Sequence, residues 1–465
     1  MDQSPFSRRV YFMPKNIITP GRRLIQISYN FKELKSETGG MLLEKIEIIN
    51  TLKEDNVVAA GCTEPVAVGL AAAAAYEQVE GTLIKVEVWT DPNIYKNGLG
   101  VVIPGTQKAG LNLAAALGSL IGQTDKNLEI FSDVKYDFLN KAQKLIEQDK
   151  VIVNPLDKKS PLYVEAIVST DKGTGKAIIK ESHDNITYLE CNGKPVYKKD
   201  INTAKSKDQK INYSEFNIAE FIELVESIDL KKIQFLNEGI QLNMKIAEYG
   251  LNKSPGFGVG SKISNLIANQ KLPSDLSNKI KAWTAAACDA RMSGVNLPVM
   301  SCSGSGNQGI MTTIPLAITA SELDCTHDQL LKARAIAIIL TNYIKHHIGN
   351  LSAICGGAVA ASIGASAGIA YLLKGSTDQI VAVIDNIIAN NSGVVCDGAK
   401  PSCAIKLMTA ADLSYQTALL SVNGLHISCG NGIIVGKTEK TVQNLGQLSR
   451  EGMEKTDETI FKIMF

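Results

Sequence analysis

Apolar positions recur every three to four residues along most of this chain and give way to strict alternation in one region, which predicts helices around a smaller sheet-bearing segment. Residues 41–53 form the first clean amphipathic helix. The Ala-rich run 66–76 and the run 109–122 are predicted to be helical as well. Leu83-Ile-Lys-Val-Glu-Val-Trp alternates as a strand, and Asp91-Pro-Asn-Ile reads as a turn before a second short strand at Val101-Val-Ile. Residues 136–213 mix a charged helix with alternating strands, among them 161–168 and 174–179, and Glu190-Cys-Asn-Gly is a predicted hairpin turn. From Asn217 onward the pattern is helical, punctuated by glycine-rich links at Pro255-Gly-Phe-Gly, Ser303-Gly-Ser-Gly, Cys355-Gly-Gly and Ser392-Gly.

The expected class is therefore mixed α/β (α+β), predominantly helical. Residues 41–80 and 217–465 are expected to form one Gly-punctuated helical domain, with an inserted α+β module at 81–216. Residues 1–40 are basic, Pro-containing and aperiodic. They read as a disordered extension without chemistry, and Met41 as the candidate functional start.

Composition narrows the function. The 48 basic and 47 acidic residues nearly cancel, which argues against a nucleic-acid surface and for a small-molecule ligand. Nine cysteines, an odd number, and an N-terminus without a secretory pattern argue for reduced thiols and a cytoplasmic setting. The apolar run 356–373 is built from Ala, Gly and Ser, which suits a helix packed closely inside a bundle better than a membrane span.

Candidate chemistry gathers at cysteines in turns. Cys396-Asp-Gly-Ala-Lys-Pro-Ser-Cys403 spells a turn, and Cys355 precedes two glycines. Thiolates are preferred ligands of zinc and iron–sulfur centres, and three of them leave one metal position open. Buried small thiols filling the core would produce the same spacing. In Gly61-Cys62-Thr63-Glu64-Pro65, Pro65 marks a helix start, with Thr63 as its candidate cap and Glu64 near its positive end. Cys62 would sit just outside that helix, where the dipole lowers a thiol pKa; a small residue in a tight bend is the alternative. Gly304, Ser305, Gly306 and Asn307 precede a further helix and form a candidate anion cradle, or a plain tight turn. Asp289 and Arg291 are expected in structural ion pairs, with Arg291 on a substrate carboxylate as the less favoured role. Adjacent His346 and His347 point apart on a helix and make a poor metal pair. Cys302 is the rival ligand.

Taken in order, Gly-Cys62-Thr-Glu-Pro, Asp289-Ala-Arg-Met, Gly304-Ser-Gly-Asn-Gln-Gly, Cys355-Gly-Gly and Cys396-x6-Cys403 resemble the L-cysteine desulfidase family, which is similar to the alpha part of iron–sulfur L-serine dehydratases. The resemblance runs from about Met41 to the C-terminus. It implies a 4Fe-4S cluster held by Cys355, Cys396 and Cys403, Cys62 as catalytic base, and a homodimer. The implied reaction is elimination of hydrogen sulfide from L-cysteine to give pyruvate and ammonia. Thr63, the cradle residues and Lys345 are expected to contact the substrate, and no membrane or nucleic-acid partner is expected. The alternatives are L-serine dehydration by the same residues, or a non-catalytic iron–sulfur or zinc-binding protein.

Overall fold

Alternation in the middle of the chain resolves, in the computed structural model, into a six-stranded sheet. The structure describes residues 37–465 except 133, 157–161, 200–210, 212, 214–216, 350 and 465, with side chains from residue 44 onward. Residues 43–465 form one compact unit. Apart from the opening of helix Glu37–Asp55, the expected N-terminal extension lies outside the described residues.

The strands are β1 (Val58–Ala59), β2 (Leu83–Thr90), β3 (Val151–Pro155), β4 (Tyr163–Thr170), β5 (Gly173–Lys180), β6 (Ile186–Cys191), β7 (Lys194–Lys198) and β8 (Val299–Met300). Sheet order is β3-β2-β4-β5-β6-β7, antiparallel except for the parallel pair β2/β3. Val86, Val88 and Thr90 are buried on one face of β2, as period-two patterning requires. The predicted hairpin turn joins β6 to β7 through Asn192 and Gly193, both at positive φ.

The predicted turn at Asp91 is instead a helix, Pro92–Gly98, and the short strand predicted at Val101-Val-Ile is reduced to a single bridge between Val102 and Ala109. Asp91 is the N-cap of that helix, accepting from Asn93 N at 2.9 Å and Ile94 N at 3.2 Å. Asp-Pro here is a cap followed by Pro in the first turn, a helix start that resembles a turn in sequence.

Helix Thr63–Tyr76 is buried from Pro65 to Ala75 because it is clamped on two sides. On one, Gly69 and Gly118 of helix Leu111–Ile121 touch backbone to backbone: a Cβ on Gly118 would stand 2.0 Å from Gly69 O. On the other, a Cβ on Gly175 of β5 would stand 1.9 Å from Ala75 O. Gly118→Ala is expected to destabilise the fold by about 3 kcal/mol or more, since only backbone movement relieves such a clash. An unchanged denaturation midpoint would refute this close approach.

Most helices from Ile218 onward enclose a second core, with helix His327–Ile348 running through it. Helix Ala360–Leu372, within the predicted Ala/Gly/Ser run, is buried in this bundle, and Gly364 and Gly368 face carbonyls of Ala337 and Ala333. No described helix is long and apolar enough to cross a membrane.

His346 and His347 close helix His327–Ile348 against Tyr213 and Tyr343. Burial, with His346 and Arg450 nearby, pulls the His347 pKa from its ordinary 6.5 to about 4. The fold thus favours neutral His347, and stability is expected to be lost as pH falls from 6.5 through 4. His347→Gln should flatten thermal stability across that window; an unchanged pH profile would exclude His347 as the cause.

Candidate active site

A two-residue ladder brings the first motif to the third. Val58 pairs with Met300 and Ala59 with Val299, and Ser301 N adds a bond to Val57 O at 2.9 Å, so the segments that precede Cys62 and Cys302 run side by side, antiparallel. Gly61 turns the chain at φ +83°, where a Cβ would meet the Pro104 ring at 2.7 Å.

Cys62 itself is the N-cap of helix Thr63–Tyr76, and Thr63, the expected cap, is the first helical residue. Thr63 Oγ1 points instead to Gly304 O, at 3.4 Å. The helix start is where the sequence places it, but the expected lowering of the Cys62 pKa is overturned. Cys62 is 3% exposed, and burial pushes its thiol up to about 12, with Glu64 and Cys403 adding to the rise, while Arg291 opposes it by charge and hydrogen bond. Loss of hydration outweighs a helix dipole, which acts only over the first turn.

Arg291, 4% exposed near the end of helix Leu276–Met292, joins the two segments. Its Nη2 donates to Gly61 O at 3.0 Å and its Nη1 to Asn307 Oδ1 at 2.9 Å. Among the described residues it has no salt bridge, so the expected ion pairing fails. Asp289 faces elsewhere, accepting from Gly260 N at 3.1 Å, with its carboxyl raised by burial to about 6.

The glycine stretch is a tight reversal in which Cys302 N donates to Ser305 O at 3.1 Å and Ser305 N to Cys302 O at 3.0 Å. Ser305 caps helix Gly306–Met311 without a side-chain bond. Gly304, at φ +73°, faces open space, whereas a Cβ on Gly306 would lie 2.3 Å from Arg291 Nε. Gly306 therefore makes room for the guanidinium.

A second short ladder organises the thiols. Ile354 bridges Val395, Cys355 N donates to Val394 O at 2.8 Å and Cys396 N to Ala353 O at 2.7 Å. In this antiparallel register Cys355 and Cys396 share one face as diagonal neighbours. The chain then folds back as predicted, through Gly398 at φ +92°, to Cys403, the first residue of helix Cys403–Val422. Lys96 anchors this loop, donating to Cys396 O at 3.2 Å while paired with Asp457 at 2.8 Å. All nine cysteines are free. The Cys355 thiol is pushed up to about 12 by burial first and by Cys396 and Cys403 next. Burial also raises Cys403.

Among the described residues no three His, Cys, Asp or Glu side chains converge as one metal ion would require. A polynuclear cluster spreads its ligating sulfurs more widely, and the donor set suits one: three half-buried free cysteines, the ligand type of iron–sulfur clusters, gathered by the Ile354/Val395 bridge and the fold-back at Gly398. Lys345, 3% exposed, provides a cation there. Its Nζ donates to Gly349 O at 2.6 Å, and burial pulls its pKa to about 8 against the opposing influence of Cys396, Cys355 and Cys302.

Thus Cys62, Thr63, Gly304, Ser305, Gly306 and Asn307 lie around Arg291, and Lys345 lies with the ligand candidates. The Cys403 thiol influences both Cys62 and Cys355. Sequence reasoning set Cys288 aside as a weaker rival ligand than Cys302 and gave Met292 no role. Cys288 Sγ is 3.7 Å from Asn307 Oδ1, and Met292 Sδ is 3.8 Å from Cys62 Sγ. Their one signal was helical spacing around Arg291, since positions three or four apart, or adjacent near a helix end, share a surface. Two surface cavities of about 320 and 510 Å³ lie elsewhere, and none of the candidate site residues lines either.

The family described as serine dehydratase alpha chain matches residues 125–462. A UPF0597 protein of Desulfatibacillum aliphaticivorans is 40% identical over 416 residues, covering 87% of this chain and 95% of its own length. The UPF0597 protein of Alkaliphilus oremlandii is 41% identical over 419 residues, covering 90% and 97%. That of Clostridium perfringens strain ATCC 13124 is 38% identical over 416 residues, covering 90% and 97%.

Proposed function

Because the chain belongs to the serine dehydratase alpha chain family, we propose that it is an iron–sulfur-dependent lyase that eliminates hydrogen sulfide from L-cysteine to give pyruvate and ammonia. The observation that carries this reading is Asn307 standing between the two parts: it accepts from Arg291, which donates to Gly61 O beside Cys62, and its side chain lies 4.0 Å from where a Cβ on Gly357, two residues after Cys355, would stand. A base and a metal-ligating surface next to each other are what a β-elimination needs. The matched family's name favours L-serine as the second reading, with water as the leaving group.

Cys355, Cys396 and Cys403 would hold a 4Fe-4S cluster, and bound there it supplies a Lewis acid for the departing β-substituent. The chain's own residues do the rest. Cys62 takes the α-hydrogen as a proton onto Sγ. The released C–H pair forms the Cα–Cβ double bond, and the Cβ–S pair leaves with sulfur. The resulting 2-aminoacrylate tautomerises to an imine, which water hydrolyses to pyruvate and ammonia. Arg291 favours the thiolate that this step consumes.

Among the proposed substrate contacts Thr63, Gly304, Ser305, Gly306, Asn307 and Lys345, Asn307 has the firmest support because it holds Arg291. Asn307→Ala is expected to raise KM about 10-fold, the worth of one charge-assisted hydrogen bond, with a smaller effect on kcat. An unchanged KM would remove Asn307 from substrate binding.

The function is tested by anoxic purification and cluster reconstitution, then an absorption spectrum and assays of sulfide and pyruvate with L-cysteine and L-serine. Broad visible absorbance with air-sensitive turnover is expected. Colourless protein that binds zinc and forms no product from either substrate would replace the lyase with a non-catalytic metal-binding protein.

A further inference from the structure

We infer that the site takes its substrate as a free zwitterion, Arg291 binding the α-carboxylate and Glu64 the α-ammonium of an amino acid whose α-hydrogen faces Cys62. This rests on the reading of Cys62 as base.

The argument starts from an uncompensated charge. Arg291 is 4% exposed, yet its hydrogen-bond acceptors, Gly61 O, Asn307 Oδ1, the Met292 sulfur and the Cys62 thiol, include no carboxylate. No carboxylate pairs with it among the described residues, and its Nε has no partner. Burying a cation without a counter-ion is costly, so such a residue calls for an anion from outside the chain. Thiolate at Cys62 cannot fill that role throughout, because accepting the α-proton neutralises it. A substrate carboxylate stays charged through the step, and a guanidinium fork is shaped to bind one.

Glu64 supplies the opposite charge from the same turn as Cys62. Its carboxylate is held by neutral groups, with Asn97 Nδ2 at 3.3 Å from Oε1 and Thr63 Oγ1 at 3.4 Å from Oε2. Among the described residues it has no Lys or Arg partner. Asn97 and Thr63 are buried, at 8% and 4% exposure, and fix the carboxylate beside the helix start. Cys62 thus has a cation bound to the carbonyl of the residue before it and an anion in the first turn of the helix it caps.

That arrangement matches one tetrahedral carbon. In an α-amino acid the carboxylate, the ammonium and the hydrogen to be removed share the α-carbon, so the base and the two ion-binding groups must lie together. The β-substituent, the fourth direction, is left to the side of Cys403 and Cys355. The site should therefore reject thiols that lack either charge, and cysteine whose amine or carboxyl is closed in a peptide bond.

L-alanine carries both charges and no leaving group, so it tests recognition apart from elimination. Calorimetric titration of reconstituted protein would compare L-alanine with L-alaninamide, which lacks the carboxylate, and with L-lactate, which lacks the ammonium. Wild type is expected to prefer alanine over each by about 10- to 100-fold, one charge-assisted contact apiece. Arg291→Gln should abolish the preference over alaninamide and keep that over lactate. Glu64→Gln should do the reverse, and Arg291→Lys should restore part of the first preference.

No binding of alanine by wild type, both preferences retained in both variants, or both lost together in either, would overturn the inference. The lyase reading fails separately. If preferences split as expected but neither L-cysteine nor L-serine yields pyruvate, the zwitterion site stands without the reaction. Pyruvate formation without the split leaves the reaction standing and removes the site.

Discussion

Cys62→Ser is expected to leave the visible absorbance of the reconstituted protein unchanged and to cut pyruvate formation from L-cysteine by about 10³-fold, the usual worth of a positioned base. The substitution is nearly isosteric, and Cys62 is not among the three cysteines proposed as ligands, so the metal-binding surface should persist. A hydroxyl is far harder to deprotonate than a thiol, even a thiol that burial has pushed up to about 12. The loss should therefore appear in kcat, with L-alanine affinity retained. Full turnover with an intact spectrum would remove Cys62 as base while leaving the cluster assignment in place.

Cys396→Ser is expected to abolish the absorbance and the turnover together. Losing a direct ligand should cost more than losing the residue that orients one, so a fall of at least about 100-fold in cluster retention is expected. The fold should survive, because Cys396 is held through its backbone, N–H to Ala353 O and carbonyl from Lys96, neither of which involves sulfur. An unchanged far-ultraviolet circular dichroism spectrum checks that. Cys302→Ser is the control: its thiol lies against Ser303, and the absorbance should remain. Absorbance lost in Cys302→Ser and kept in Cys396→Ser would exchange their roles.

These two outcomes depend on different kinds of information in the chain. Helix starts, turns and the alternation of β2, β4 and β5 were legible because they follow from residues within four positions of one another. Thus Pro65 marked the helix that begins beside Cys62, Asn192-Gly193 marked a hairpin, and the Gly and Pro of 396–403 marked a fold-back. Asp91-Pro92 was misread only because a cap and a turn begin with the same residues.

What sequence could not supply was burial and distant company. The Cys62 thiol shifts upward, against its local helix dipole, because the whole fold removes water from it. Arg291 lacks the expected ion pair, and Gly306 serves as space for its guanidinium, because β1 and β8 join segments some 240 residues apart. Local sequence determined the elements, the turns and the residue types available for chemistry. Tertiary structure decided which charges are left without partners and which thiols face one another, since desolvation and Coulomb interaction depend on distance through space, which sequence separation does not encode.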